Sequence, residues 1–229
     1  INREKISYGY DDKNYLKIIN YRPSDGVLDF SILNSHRSYD DVHLNMPGRH
    51  NALNSTACFA VSKVLDITFE TYKESISGFR TVDRRMQLKF DGKGIRVYDD
   101  YSHHPVEVSA SLKGLKEAGA GRLITVFQPH LFTRTRDFYR EFADALSLSD
   151  EVVLMDIYPA REKPIDGITS ELILNEAADR FKNIRLIHER SDVLAWLRHD
   201  LRPGDVVVFQ GAGDVTNLCT EFVNQIYSI

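Results

Sequence analysis

The chain has 229 residues, 29 Lys+Arg against 33 Asp+Glu for a formal net charge of −4, and 42% hydrophobic residues. These ordinary globular values exclude a disordered or fibrous chain, and a mildly acidic balance without a basic run excludes a dedicated nucleic-acid or anionic-membrane binder. No apolar stretch approaches the about 20 residues of a spanning helix, and two isolated cysteines, Cys58 and Cys219, exclude a disulfide scaffold or Cys-based zinc site and point to a reducing, cytosolic compartment.

The chain opens at Ile1 with no signal-peptide pattern, so a piece of a longer polypeptide is expected. Residues 6–45 read as short alternating segments, with Tyr15, Ile18, Leu28, Phe30 and Ile32 as apolar positions. PSDG, from Pro23 to Gly26, reads as a turn with Pro at its second position, which predicts antiparallel strands at the edge of a larger sheet. From Gly48 to Ile67, Leu53, Ala57, Ala60, Val61, Val64 and Leu65 recur at helical spacing, predicting a helix that buries that face. Thr68 is placed to cap a second short helix ending near Gly78.

After Gly78 the pattern becomes regular. MQLKF and IRVYDD, joined by DGKG, read as a hairpin. RLITVFQ, EVVLMDIY, NIRLIHE and DVVVFQG are buried-type strands separated by the helical stretches PVEVSASLKGLKEAGA, TRDFYREFADALSLSD, SELILNEAADRFKN and SDVLAWLRHDLRPG. A last helix is expected from Asp214 to Tyr227. Strands alternating with helices of this length predict a doubly wound α/β domain with a mainly parallel sheet over residues 79–229. Residues 1–78 read as the tail of a preceding mixed α/β domain.

Ligands of open α/β sheets bind beyond the carboxyl ends of the strands, and four polar clusters fall there. Asp99, Asp100, Tyr101, His103 and His104 lie just before a helix opened by Pro105. A carboxylate there could take a ribose diol and an imidazole a phosphate or reacting group; the alternative is a solvated, capped loop. QPHLFTRTRD carries His130, Arg134 and Arg136. Its arginines could grip a carboxylate bidentately or lie on the surface against helix acids. QGAGD, from Gln210 to Asp214, could let a backbone approach a ligand closely, whereas Arg161 and Glu162 of YPARE read as solvated. In the first part, His50, Asn51 and Asn54 sit at a helix entry, where amides suit an adenine edge or Asn51 a helix cap. Arg84 and Arg85 form an adjacent pair that could neutralise phosphates or simply face solvent.

In this order GRHNALN, RTVDRRM, VYDDYSHHPVEV, VFQPHLFTRTRDF and QGAGDV resemble the Mur ligase family, from about Gly48 to the C-terminus. The resemblance implies residues 1–78 as the end of a central ATP-binding domain and residues 79–229 as a Rossmann-like amino-acid-binding domain. It implies that His50, Asn51 and Asn54 contact adenine, Arg85 the nucleotide phosphates, Asp100 the ribose, and that Tyr101 lies beside the nucleotide. It implies His103 facing the reacting groups, and His130 with Arg134 holding the amino acid, Arg134 clamping its carboxylate. Leu131 and Thr81 depart from the pattern: many relatives carry a basic residue at the first position and a small one at the second.

The implied reaction is ATP- and Mg²⁺-dependent amide formation between UDP-N-acetylmuramate and L-alanine in peptidoglycan precursor synthesis. A ligase that attaches a whole tripeptide, and a noncatalytic nucleotide- or partner-binding module, are the alternatives. Phosphoryl transfer needs a phosphate-cradling loop and a lysine. No GxxxxGK[ST] or GxxGKT occurs in the sequence, and no carboxylate set suggests metal ligands. The chain alone is therefore expected to be inactive.

Overall fold

The computed structural model describes residues 5–35, 37–80, 82–178 and 181–227; Ile1 and Thr81 lie outside the described residues. It divides into two compact units, Ile1–Thr81 with Glu117–Gly119 and Val82–Lys116 with Ala120–Ile229.

In the first unit, β1 (Tyr8–Gly9), β2 (Leu16–Ser24), β3 (Val27–Asn34) and β4 (Arg37–Leu44) pair in sequence order, β1 parallel to β2 and the others antiparallel. Two helices follow, α1 (Arg49–Val64) and α2 (Phe69–Gly78). The β2–β3 turn differs from the sequence expectation. Ser24 pairs with Val27, so Asp25 and Gly26 form the loop, both at positive φ, and Pro23 belongs to β2. Asp-Gly is the pair that a two-residue turn of this twist selects. Leu28, Phe30 and Ile32 are fully buried as expected, while Tyr15 is exposed.

The α1 face also differs. Ala52, Ser55, Thr56, Phe59 and Ala60 are buried, whereas Val61, Val64 and Leu65 are 58%, 67% and 63% exposed. Two hydroxyls make the polar residues at home in this core. The Ser55 hydroxyl lies 2.6 Å from that of buried Tyr72, and Thr56 donates to the Ala52 carbonyl at 2.8 Å. Phe59 packs against Tyr39, Phe69 and Tyr72. Thr68 caps α2, its hydroxyl accepting from the Thr71 amide.

The second unit holds β5 (Gln87–Gly92), β6 (Ile95–Asp100), α3 (Pro105–Glu117), β7 (Leu123–Phe127), α4 (Phe132–Leu146), β8 (Glu151–Leu154), α5 (Glu171–Ala178), β9 (Ile184–Leu186), α6 (Arg190–Asp200), β10 (Val206–Gln210) and α7 (Val215–Tyr227). The strands pair in the order β5-β6-β10-β7-β8-β9, all parallel except β5, which forms the expected hairpin with β6. Alternate strand residues feed two cores. Tyr98, Phe127, Leu154 and Val208 pack with α3, α4 and α5, while Val97, Val126, Val153 and Phe209 pack with α6 and α7. The sheet is thus covered on both faces, as a parallel sheet of continuously apolar strands requires.

Register sets the site. Asp100 lies beside Gln210, Gln210 beside Phe127, and Phe127 beside Leu154, so four carboxyl ends finish level. β6 and β7 lead to helices on one face and β10 to a helix on the other, the kind of switch point beside which open α/β sheets bind ligands.

Candidate active-site edge

In the first unit the α1 N-terminus begins after Gly48 at φ 102, with no side-chain cap. Asn51 does not cap by accepting; its amide donates to the Pro47 carbonyl at 2.7 Å. His50 is half-buried on the first turn and Asn54 is exposed one turn on.

In the second unit the β6 end is built around α3. Glu107 accepts from the His103 and His104 amides at 3.1 and 3.2 Å, filling orphan donors at the helix start. Burial works to raise the Glu107 carboxyl, but these amides with His103 and Arg85 outweigh it and hold it below its ordinary value. His103 Nδ1 lies 2.9 Å from the Tyr101 carbonyl, which can only accept. Nδ1 therefore carries a proton, and it also lies 3.5 Å from Glu107 Oε2, which leaves Nε2 as the ring atom directed away from these two partners. The Tyr101 ring is edged by His103 and carries the Arg84 and Arg85 guanidinium groups at 4.8 and 5.4 Å. Arg85, 49% exposed, also reaches Glu107 at 3.6 Å.

Asp100 is placed otherwise than the sequence implied. It is 1% exposed, with its carboxylate accepting from the Met86 amide at 3.2 Å and Gln210 Nε2 at 3.0 Å. Here it ties the residue before β5 to the last residue of β10. Asp99, on the opposite face, accepts from Thr216 at 2.6 Å, and burial raises its carboxyl above the usual range. Arg84 does not face solvent: Nη2 donates to the Gly211 and Gly213 carbonyls at 2.7 and 3.1 Å, clamping the β10–α7 loop.

The β7 end brings His130 and Arg134 together. α4 starts at Phe132, earlier than its periodicity indicated, so Arg134 lies on its first turn. Arg134 Nη1 is 3.3 Å from His130 Nδ1. An arginine only donates, so this nitrogen is unprotonated. Burial first, then Arg134 and His103, lowers the His130 pKa, keeping a neutral ring beside the cation. The His103 and His130 rings are 5.9 Å apart. Arg136 pairs with Asp137 on the surface instead of joining Arg134.

Two residues of the YPARE segment complete this edge. Tyr158 stacks on His130 at 5.9 Å and 17°. Glu162, expected to be merely solvated, accepts from the Thr133 amide at 3.0 Å and from its hydroxyl. The Thr133 hydroxyl, then its amide, holds the Glu162 carboxyl below its ordinary value. No local pattern marks either role, because both partners are distant in sequence. The glycines of QGAGD serve packing rather than ligand approach. A Cβ on Gly213 would sit 2.4 Å from Gln128 Oε1 and 2.5 Å from Tyr158 Cγ.

Among the described residues no group of three His, Cys, Asp or Glu could hold a metal ion, and no helix is long and apolar enough to cross a membrane.

Residues 84–213 match the family model for the Mur ligase, glutamate ligase domain. The chain is 43% identical over 216 residues to the UDP-N-acetylmuramate–L-alanine ligase of Paenarthrobacter aurescens, covering 92% of this chain and 44% of that protein. It is 41% identical over 184 residues to the enzyme of that name from Streptomyces avermitilis, covering 80% and 40%. The crystal structure of the UDP-N-acetylmuramate–alanine ligase of Thermotoga maritima superposes with a TM-score of 0.82 at 25% identity, covering 98% of this chain and 48% of that one. The chain thus spans less than half the length of these relatives.

Proposed function

The chain belongs to the Mur ligase family, and from that premise we propose that it carries the amino-acid-binding part of an ATP-dependent ligase joining L-alanine to UDP-N-acetylmuramate. In this reading residues 1–78 are the end of a central ATP-binding domain and residues 79–229 the amino-acid-binding domain, working in the cytosol. The observation that supports it most is the convergence of His103, His130 and Arg134 at one end of the parallel sheet, with Arg134 against His130 and the two imidazoles within 6 Å, at 5.9 Å.

Amide formation by such a ligase activates the sugar-linked carboxylate with ATP and lets the amine displace phosphate. The chain's own residues supply the second half of that chemistry. Arg134 offers a planar donor fork to the alanine carboxylate, a geometry suited to bidentate pairing. His103, its Nδ1 held by the Tyr101 carbonyl, has Nε2 left to take a proton from the incoming amine when the ring is neutral. Neutral His130 adds a donor without a second full charge.

ATP fits in part. Arg85, half exposed over Tyr101, offers a cation and a ring face to an anionic nucleotide, while His50, Asn51 and Asn54 are proposed for the adenine. Asp100 is committed internally and is not assigned to ribose in this conformation. Mg²⁺ does not fit the residues present, since Asp99 and Asp100 are both buried and tied.

The test is Arg134→Ala in the complete ligase. Loss of a charged hydrogen bond to the alanine carboxylate should raise the L-alanine KM by about ten- to a hundredfold, with KM for ATP little changed. An unchanged L-alanine KM removes Arg134 from the pocket.

A further inference from the structure

We propose that Glu162 is a positioning residue of the amino-acid pocket, holding the first turn of α4 so that His130 and Arg134 keep their mutual geometry. The proposal rests on the substrate reading above and adds a residue from a different loop to it.

The need arises at the α4 start. Leu131, the residue before the helix, sits at φ 75 and ψ 136 and has no side chain able to accept from the first-turn amides. Those amides require an outside acceptor. Glu162 supplies it from the loop after β8, 29 residues away from Thr133 along the chain. Its carboxylate takes both the amide and the hydroxyl of Thr133, one residue before Arg134. Glu162 is itself fixed by a turn in which its amide donates to the Pro159 carbonyl at 2.9 Å.

The same two loops are joined along their length. The Tyr158 amide donates to the Pro129 carbonyl at 2.8 Å, and the Leu131 amide returns to the Tyr158 carbonyl at 3.0 Å. The Tyr158 and His130 rings carried by these paired segments stack at 5.9 Å. His130 and Arg134 are therefore held from the chain's own loop and from the Tyr158–Glu162 segment together. A carboxylate also suits the positive end of a helix. With Glu162 filling that end, a substrate carboxylate is directed to the Arg134 side chain rather than to the helix amides.

Four charged or titratable groups face His130: Arg134 on α4, His103 on the loop before α3, and Tyr158 and Glu162 on the loop after β8. Their opposing influence gives a signature independent of turnover. In the 229-residue chain, Glu162→Gln should move the His130 NMR titration to lower pH, because an anion favouring its protonated form has gone. In the complete ligase, Glu162→Ala should raise the L-alanine KM about tenfold, the scale of a lost helix cap, while kcat changes less than about twofold. Glu162→Gln keeps an acceptor oxygen for Thr133 and should lie between Glu162→Ala and the wild type.

A wild-type KM in Glu162→Ala, or a fall in kcat at unchanged KM, overturns the proposal, as does an unshifted His130 titration in Glu162→Gln. A wild-type ligase that does not use L-alanine overturns the substrate reading instead, and the His130 titration then decides the role of Glu162.

Discussion

His130 concentrates the electrostatics of the site in one ring. Burial, the Arg134 cation 3.3 Å from Nδ1 and the neighbouring His103 all disfavour a charged imidazole. Its pKa should therefore fall below the about 6.5 of an unperturbed histidine, which NMR titration of the ring protons measures directly. The sign for stability follows from linkage. A histidine whose folded pKa is depressed binds its proton more readily in the unfolded chain, so its cost is absent above about pH 6.5 and grows as pH falls below it. His130→Gln should flatten that acid limb in thermal melts recorded from pH 7.5 to 5, and an unaltered limb would show that His130 is not perturbed. His130 and Arg134 are paired through the resemblance of the FQPHLFTRTRD block; by themselves the arginines of this stretch read equally as surface residues. Glu162 and Tyr158 were not legible, because the contacts that define them span two loops. Asp100 marks the opposite limit: its place at a strand end was legible, but its inward carboxylate depends on Met86 and Gln210.

At the scale of elements, alternation and turn chemistry carried most of the second unit, because buried parallel strands write their burial into continuous apolar runs. The first unit was harder for a physical reason. α1 buries Ser55 and Thr56, whose hydroxyls are satisfied locally, and exposes Val61, Val64 and Leu65, so hydrophobicity alone points to the wrong face. The β10–α7 loop shows the same lesson with glycine. Gly213 presses its backbone against Gln128 and Tyr158, and Arg84 binds its carbonyl. A methyl group there must displace the Tyr158 ring that stacks on His130. Gly213→Ala should cost about 1–3 kcal/mol, the range of overpacking a close-packed site, and should weaken L-alanine binding as well. Gly78→Ala, with nothing within 4 Å of the added carbon and no positive φ, should melt close to the wild type. Equal melting of the two variants would show that the Gly213 contact relaxes without cost.

At the scale of the whole chain, the second unit builds the edge proposed for the amino acid from its own strands and helices, while the proposed chemistry needs parts the sequence does not contain. His103, His130, Arg134, Tyr158 and Glu162 all belong to one sheet edge and its loops. Cleaving ATP is a different demand. It requires backbone amides cradling the phosphates and a lysine among them, since phosphoryl transfer proceeds by positioning and charge stabilisation. Among the 229 residues no GxxxxGK[ST] or GxxGKT run occurs, and the chain spans 44% of the Paenarthrobacter aurescens ligase and 40% of the Streptomyces avermitilis one. Arg85 and Tyr101 can meet a nucleotide but cannot replace that cradle. The 229-residue polypeptide should therefore release no phosphate from ATP with UDP-N-acetylmuramate and L-alanine present, as followed by a coupled ADP assay. ADP formation above the rate without protein would place a phosphate-binding device within this chain and overturn the proposed confinement of its role to the sheet edge.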